Sequence, residues 1–276
     1  MRYFDAHNHL HDTRLKTHRE SCIAAMSELP VAGAVVNGTR EDDWNAVATL
    51  AAQHPAWITA SFGIHPWHAA TRSETWLDVL RRYLDENPPA GVGEIGLDRW
   101  IDGHDIEDQT RVFVPQLRLA AELNRAATIH CLRAWGALWD IVRTETLPAR
   151  GFLLHAYGGP EEMIDGFARR GAYFSFNLSF LHSRKISQRE AFLRVPLDRL
   201  LVETDAPDMR PPDEHNPRPL RSALGAAINH PANIDVAYRA LAQLKGLDLE
   251  ALGAQVEENF RRLFKSGHQD LGTCRA

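Results

Sequence analysis

Eight short apolar runs alternate with amphipathic stretches along the chain, and this pattern predicts a (β/α)8 TIM barrel. Two further observations point the same way. The alternation spans nearly all 276 residues, with no internal repeat and no low-complexity tract. Several runs also end in a histidine or a carboxylate, as expected of a barrel whose active-site groups gather at the C-terminal ends of its strands. A doubly wound open sheet is the competing architecture, since it shares the alternation. The length admits one large domain or two ordinary ones, and the chain is read as one domain over 1–276.

Taken in order, the candidate strands are 2–5, 32–37, 57–62, 90–95, 127–130, 151–155, 173–176 and 200–203. Helical patterns fill gaps between them, among them 42–53, 75–86 and 111–124. In the last, Phe113, Leu117, Ala120 and Ala121 fall on one helix face. Pro115 fits there only near the helix start or at a kink. After the eighth run, 207–231 holds six prolines (207, 211, 212, 217, 219 and 231) and reads as a long loop. It either covers the barrel mouth or is a loose surface excursion. Segments 233–244 and 249–264 read as closing helices, and 268–276 as a frayed tail.

Hydrophobic content of 44% with 24% charged residues describes an ordinary globular chain rather than a disordered one. A net charge of −5 supplies no overall basic field, which weighs against tight DNA binding by the surface as a whole. It leaves room for an enzyme that handles phosphates locally through metal ions. Cys22, Cys131 and Cys274 lie far apart without CxxC spacing, so neither a disulfide framework nor a zinc ribbon is expected. No signal peptide, no bilayer-crossing run and a cytoplasmic location are the corresponding expectations. Histidine is the anomaly: there are 14, several directly after apolar runs, where a solvated-surface explanation works poorly.

The chemistry starts in the first dozen residues, MRYFDAHNHLHD. On a strand, side chains two apart share a face, so His7 and His9 project together and make half of a divalent-metal site. In GVGEIGLD, Glu94 ends an apolar run, and its two oxygens can bridge two cations about 3.5–4 Å apart. Asp98 either supports a ligand from behind or is an ordinary turn residue, and the turn is the preferred reading. His130 and His155 end the runs ATIHC and GFLLHAYGG, and LLVETDAP supplies Asp205. Glu203 faces the same way as Asp205 and either orients a ligand or belongs to a buried salt bridge. The ligand set is thus His7, His9, Glu94, His130, His155 and Asp205. Four nitrogens with a shared carboxylate suit two divalent cations, Zn, Mn, Ni or Co better than Mg. Such a pair favours hydrolysis, with Glu94 and Asp205 as the catalytic carboxylates and Asp205 as the general base.

In order, FDAHNHLHD, GIHPWH, GEIGLD, IHCLRA, HAYGG, ETDAP and ENFRRLF resemble the TatD-type metal-dependent hydrolases over nearly the whole chain. That resemblance implies an amidohydrolase-like TIM barrel, most often a deoxyribonuclease releasing nucleotides from DNA ends. By the same resemblance, His7 and His9 serve a first metal, His130 and His155 a second, and Glu94 both. His65 in GIHPWH corresponds to a substrate-contacting histidine, and Asn259 and Arg262 to a latch under the barrel. The family's arginine two residues after the fourth-motif histidine is replaced by Leu132, with Arg133 next and carried as substrate-binding. After ETDAP, Asp208-Met209-Arg210 and a longer insertion lead to Asn229-His230-Pro231, so the loops that choose a substrate have changed. Arg210, Arg218 and Arg221 in the insertion are either phosphate contacts or a solvated loop.

The leading expectation is a phosphodiesterase acting on nucleic-acid ends or a small phosphodiester, as a monomer or small homo-oligomer with no membrane partner. The alternative keeps the metals and hydrolyses an ester or amide, such as a D-aminoacyl-tRNA or a cyclic amide. A non-catalytic scaffold is disfavoured because all six ligand positions stand.

Overall fold

Strand β1 (Tyr3–Asn8) is buried at every position, as is β4 (Gly91–Asp98). Burial on both faces is what a parallel strand meets when a side-chain-filled interior lies on one side and helices on the other. The computed structural model describes residues 1–264. In it β1, β2 (Val31–Asn37), β3 (Ile58–Phe62), β4, β5 (Ala127–Leu132), β6 (Phe152–Leu154), β7 (Ala172–Asn177) and β8 (Leu200–Glu203) form one eight-stranded sheet paired in sequence order. The pairings from β1–β2 through β7–β8 are all parallel. The predicted (β/α)8 architecture is therefore correct, and the open doubly wound sheet is not.

The ring closes at the β8–β1 seam through side-chain and loop hydrogen bonds. Thr204 donates its backbone N–H and hydroxyl to the two oxygens of Asp5, at 3.0 and 2.7 Å. Asp205 N–H donates to the His7 carbonyl at 2.9 Å, and His9 N–H to the Ala206 carbonyl at 2.8 Å. Burial pushes the Asp5 carboxyl up to about 7, although the Thr204 bonds pull it the other way.

Around the ring lie α1 (Arg19–Glu28), α2 (Glu41–Gln53), α3 (Trp76–Glu86), α4 (Ile106–Glu122), α5 (Trp135–Thr144), α6 (Ile164–Arg169), α7 (Ile186–Arg194), α8 (Ile234–Lys245) and α9 (Leu249–Phe264). Helix α4 starts five residues before the apolar pattern does. The Asp105 side chain caps it by accepting from the N–H groups of Glu107 and Asp108, and the polar first turn hides the start. It also continues through Pro115 to Glu122. In α9, Asn259 donates to the carbonyls of Leu197 and Leu200 at 2.7 and 2.8 Å, at the entry to β8. That is the latch expected of it, while Arg262 pairs with Glu258 on its own helix.

Segment 207–231 is neither structureless nor loose. It contains a 3₁₀ turn (Asp213–His215) and a small antiparallel hairpin, β9 (Leu220–Arg221) with β10 (Ala227–Ile228). Asn229 ties its far end back to β8, its side-chain amide donating to the Thr204 carbonyl at 2.8 Å and its N–H to the Pro207 carbonyl. Arg14 grips Asp208 with two bonds of 2.7 and 2.6 Å. The expected tail, 268–276, lies outside the described residues. Among the described residues no helix is long and apolar enough to cross a membrane.

Candidate metal centre

Glu94 stands at the centre of the barrel mouth with imidazoles on both sides. Its Oε2 lies 3.5 Å from His7 Nε2 and 3.3 Å from His9 Nε2. Its Oε1 lies 3.2 Å from His130 Nδ1 and 2.9 Å from His155 Nε2. Asp205 Oδ1 adds a second carboxylate to the first cluster, 3.3 Å from His7 Nε2 and 3.4 Å from His9 Nε2. All six expected ligands thus share one cavity wall, although 198 positions separate His7 from Asp205.

Local backbone explains the convergence. His7 ends inside β1 and His9 just past it, yet their Nε2 atoms approach to 3.1 Å. Gly96 (φ +145°) lets β4 press against β5, because a Cβ there would sit 1.9 Å from the His130 carbonyl oxygen. Asp205 adopts a left-handed φ of +54° just after β8, a conformation that aspartate tolerates better than most residues.

The donor set fits divalent cations by two criteria. Ligand atoms about 2.0–2.1 Å from a tetrahedral ion lie roughly 3.3 Å from one another. The His7–His9 and His130–His155 nitrogen pairs are each 3.1 Å apart. Outer hydrogen bonds also fix which nitrogen is free. His9 Nδ1–H donates to the Asn37 carbonyl at 2.7 Å, and His130 Nε2–H to Asp98 Oδ2 at 2.9 Å. In the neutral form of both rings the lone pair falls on the nitrogen that faces Glu94, while the neighbouring carboxylates favour the protonated form by raising both imidazoles against their burial.

Charge at the site follows from burial against neighbours. Burial alone raises the Glu94 carboxyl, but His65, His155 and His7 outweigh it and hold it well below the usual carboxylate range. Asp205 is likewise lowered: His7 and His9 overcome its burial. Both acids are ionised at neutral pH. His65 differs. Burial pushes its imidazole down to about 4, against the pull of Glu94. Trp67 N–H donates to His65 Nδ1 at 3.1 Å, so the proton sits on Nε2, 3.4 Å from Glu94 Oε1. In this tautomer the nitrogen facing the cluster is a donor, not a lone pair. His65 could join Glu94 and His130 as a metal group by distance alone; the tautomer argues against it.

A model of the TatD related DNase family matches residues 4–265. The chain belongs to the TatD-related DNase family. It is 31% identical over 262 residues to a protein of Erwinia tasmaniensis named 3'-5' ssDNA/RNA exonuclease TatD, covering 95% of this chain and 99% of that one. A Dickeya dadantii protein of the same name is 29% identical, with 96% and 99% covered. Among solved structures, the TatD homologue YjjV of Escherichia coli superposes with a TM-score of 0.86 at 24% identity, covering 96% and 98%. This protein is therefore a TatD-family metal-dependent hydrolase, and its His, Glu and Asp groupings suit metal binding.

Several expectations about this TatD chain need correction or completion. Asp98 is no turn residue. It is the last residue of β4, fully buried, and it supports His130. Arg133 has a left-handed φ of +56° and an exposed side chain. No hydrogen bond or ion pair to the donor cluster is recorded for it among the described residues. Arg210 pairs with Asp213, Arg218 with Asp235 at 2.8 Å, and Arg221 donates to the Gly225 carbonyl at 2.7 Å. These three are occupied by their own loop and its neighbour helix rather than offered to phosphate. Glu203 is buried, accepts from Ser175 and Asn177, and lies 3.7 Å from His155 Nδ1, a charge behind that imidazole beyond hydrogen-bond reach. Trp67 escaped sequence reading altogether: its indole N–H donates to Asp98 Oδ2 at 2.8 Å. The only signal was its place in GIHPWH, next to His65.

Proposed function

We propose that the chain is a cytoplasmic exonuclease that removes nucleotides from the 3' ends of single-stranded DNA or RNA with two divalent cations, its barrel forming one catalytic domain. The supporting observation is Glu94, which turns one oxygen toward His7 and His9 and the other toward His130 and His155. His7, His9 and Asp205 would hold one cation and His130 and His155 the other, with Glu94 shared. The names of the relatives supply the polarity and the single-stranded substrate. Cys22 and Cys131 are free, buried thiols, in keeping with a reducing compartment.

Bound divalent cations supply Lewis acidity and make water more acidic, and nitrogen-rich donors favour Zn, Mn, Ni or Co over Mg. The chain's own residues do the rest. Asp205, held ionised, uses Oδ1 toward His7 and His9 and takes a proton from the attacking water on its other oxygen. His65, neutral, donates from Nε2 to a phosphoryl oxygen. Asp98 keeps His130 in place by its hydrogen bond, and Glu203 sets a negative charge behind His155.

The test assays metal content and hydrolysis of labelled single-stranded DNA, single-stranded RNA and an aminoacyl ester side by side, for the wild type and Asp205→Asn. Cleavage from the 3' end of the nucleic acids, lost in Asp205→Asn while metal is retained, is the expected result. Hydrolysis of the aminoacyl ester with both nucleic acids untouched would overturn the reading in favour of carboxylic ester chemistry. An Asp205→Asn variant with bound metal and near-full kcat would remove Asp205 as the base.

A further inference from the structure

The donor cluster is built of imidazoles and carboxylates and offers no flat apolar face to a nucleobase. Beside it lies an apolar surface. Of the seven large hydrophobic side chains exposed among the described residues, three surround Asp98: Trp67 at 48%, Trp100 at 56% and Leu132 at 37% exposure. They follow or end three successive strands, β3, β4 and β5. Each is tied to the strand ends by hydrogen bonds. Asp98 Oδ2 accepts from the Trp67 indole, Asp98 Oδ1 accepts from the Trp100 backbone N–H at 2.6 Å, and the Leu132 carbonyl accepts from Arg99 N–H at 2.9 Å.

Of the two rings, Trp67 is held by its own indole N–H and Trp100 is anchored through its backbone. Pinning the Trp67 N–H to a buried carboxylate fixes the ring edge and leaves its face open, so little side-chain freedom is lost when a flat partner arrives. The same Asp98 oxygen accepts from His130, which makes the apolar surface continuous with the donor cluster. Arg99 and Arg133 flank it, both exposed. Neither side chain has a recorded hydrogen bond or ion pair among the described residues, although arginines elsewhere on this acidic chain commonly have carboxylate partners. Flat aromatic faces with unspent guanidinium groups are what a single strand of nucleic acid requires, bases on the rings and phosphates on the cations.

We infer that Trp67 and Trp100 form the platform on which terminal bases of a single-stranded substrate stack, with Arg99 and Arg133 contacting its backbone; this rests on the exonuclease reading and specifies how that substrate is held. Duplex ends, whose bases are already stacked on each other, would use the platform poorly.

The test measures binding of the metal-loaded protein to a short phosphorothioate oligodeoxythymidine and to the same oligomer with abasic sites at its 3' end. Trp100→Ala and Trp67→Ala should each weaken binding of the base-bearing oligomer about tenfold, and of the abasic oligomer by about twofold at most. Trp100→Phe and Trp67→Phe should recover most of the affinity, the latter showing that the ring matters beyond its N–H. Equal weakening of both oligomers, or of neither, overturns the platform. Hydrolysis of the phosphodiester oligomer is read in parallel. Cleavage with unaltered binding in the tryptophan variants sinks the platform and spares the exonuclease. Base-dependent binding without cleavage does the reverse.

Discussion

One oxygen of Asp98 accepts at once from His130 Nε2, at 2.9 Å, and from the Trp67 indole, at 2.8 Å. A buried carboxylate at the end of β4 therefore holds an imidazole of the donor cluster and a half-exposed ring in fixed relation. The imidazole and the backbone N–H of Trp100 overcome its burial and keep it ionised. Asp98→Asn should weaken cation affinity about 10–100-fold, since the lost acceptor frees the His130 ring to rotate and change tautomer. Competition with a chromophoric chelator measures the change.

Glu94→Gln removes the charge common to both imidazole clusters and one of the two anionic oxygens. At least one cation per chain should be lost, read by elemental analysis, and kcat should fall about 10²–10³-fold.

His130→Ala takes away one ligand without opening the core, because the side chain is partly exposed at the mouth. The variant should keep the wild-type near-UV spectrum and bind fewer cations. Unfolding with full cation content in the remaining soluble protein would assign His130 to packing instead.

Asn259→Ala leaves the carbonyls of Leu197 and Leu200 without their donor in a buried place. A loss of about 2 kcal/mol in denaturant unfolding is expected, with kcat per folded molecule unaltered.

His230 gives the pH dependence. Its Nδ1 accepts from Ala232 N–H at 3.0 Å, and burial, helped by Arg218 and His18, lowers its pKa to about 4. In the unfolded chain a histidine titrates near 6.5. Between these values the unfolded chain binds the proton and the folded one does not. The stability due to neutral His230 is therefore complete above about 6.5 and is lost as pH falls toward 4. His230→Asn, which can accept from Ala232 without titrating, should flatten the fall in denaturation midpoint over that window.

The ring of strands and the meeting of the six candidate side chains were legible because both leave a local trace: an apolar run, then a polar side chain at its end. Asp98 was not. Its run looks broken by Asp98-Arg99-Trp100, yet β4 continues because Gln109, eleven positions on, satisfies the backbone. Its side chain accepts from Asp98 N–H at 2.7 Å and donates to the Asp98 carbonyl at 2.8 Å. A partner on the following helix cannot be read from alternation. The start of α4 was hidden for a related reason, since a capping aspartate and acidic first turn carry no apolar spacing. Arg133 left no local trace of another kind: its left-handed φ of +56° is a backbone feature that no apolar spacing announces. The order in 207–231 comes from Asn229 and Arg14 bonds to chain-distant partners, which proline counting cannot show.

The seam between β8 and β1 has a consequence for biosynthesis. Asp205 and the Thr204 clasp on Asp5 leave the ribosome some two hundred residues after His7 and His9. A nascent chain thus cannot assemble the first cluster until the final strand has docked. Cation loading becomes a late event, and the free energy of loading holds the ring shut.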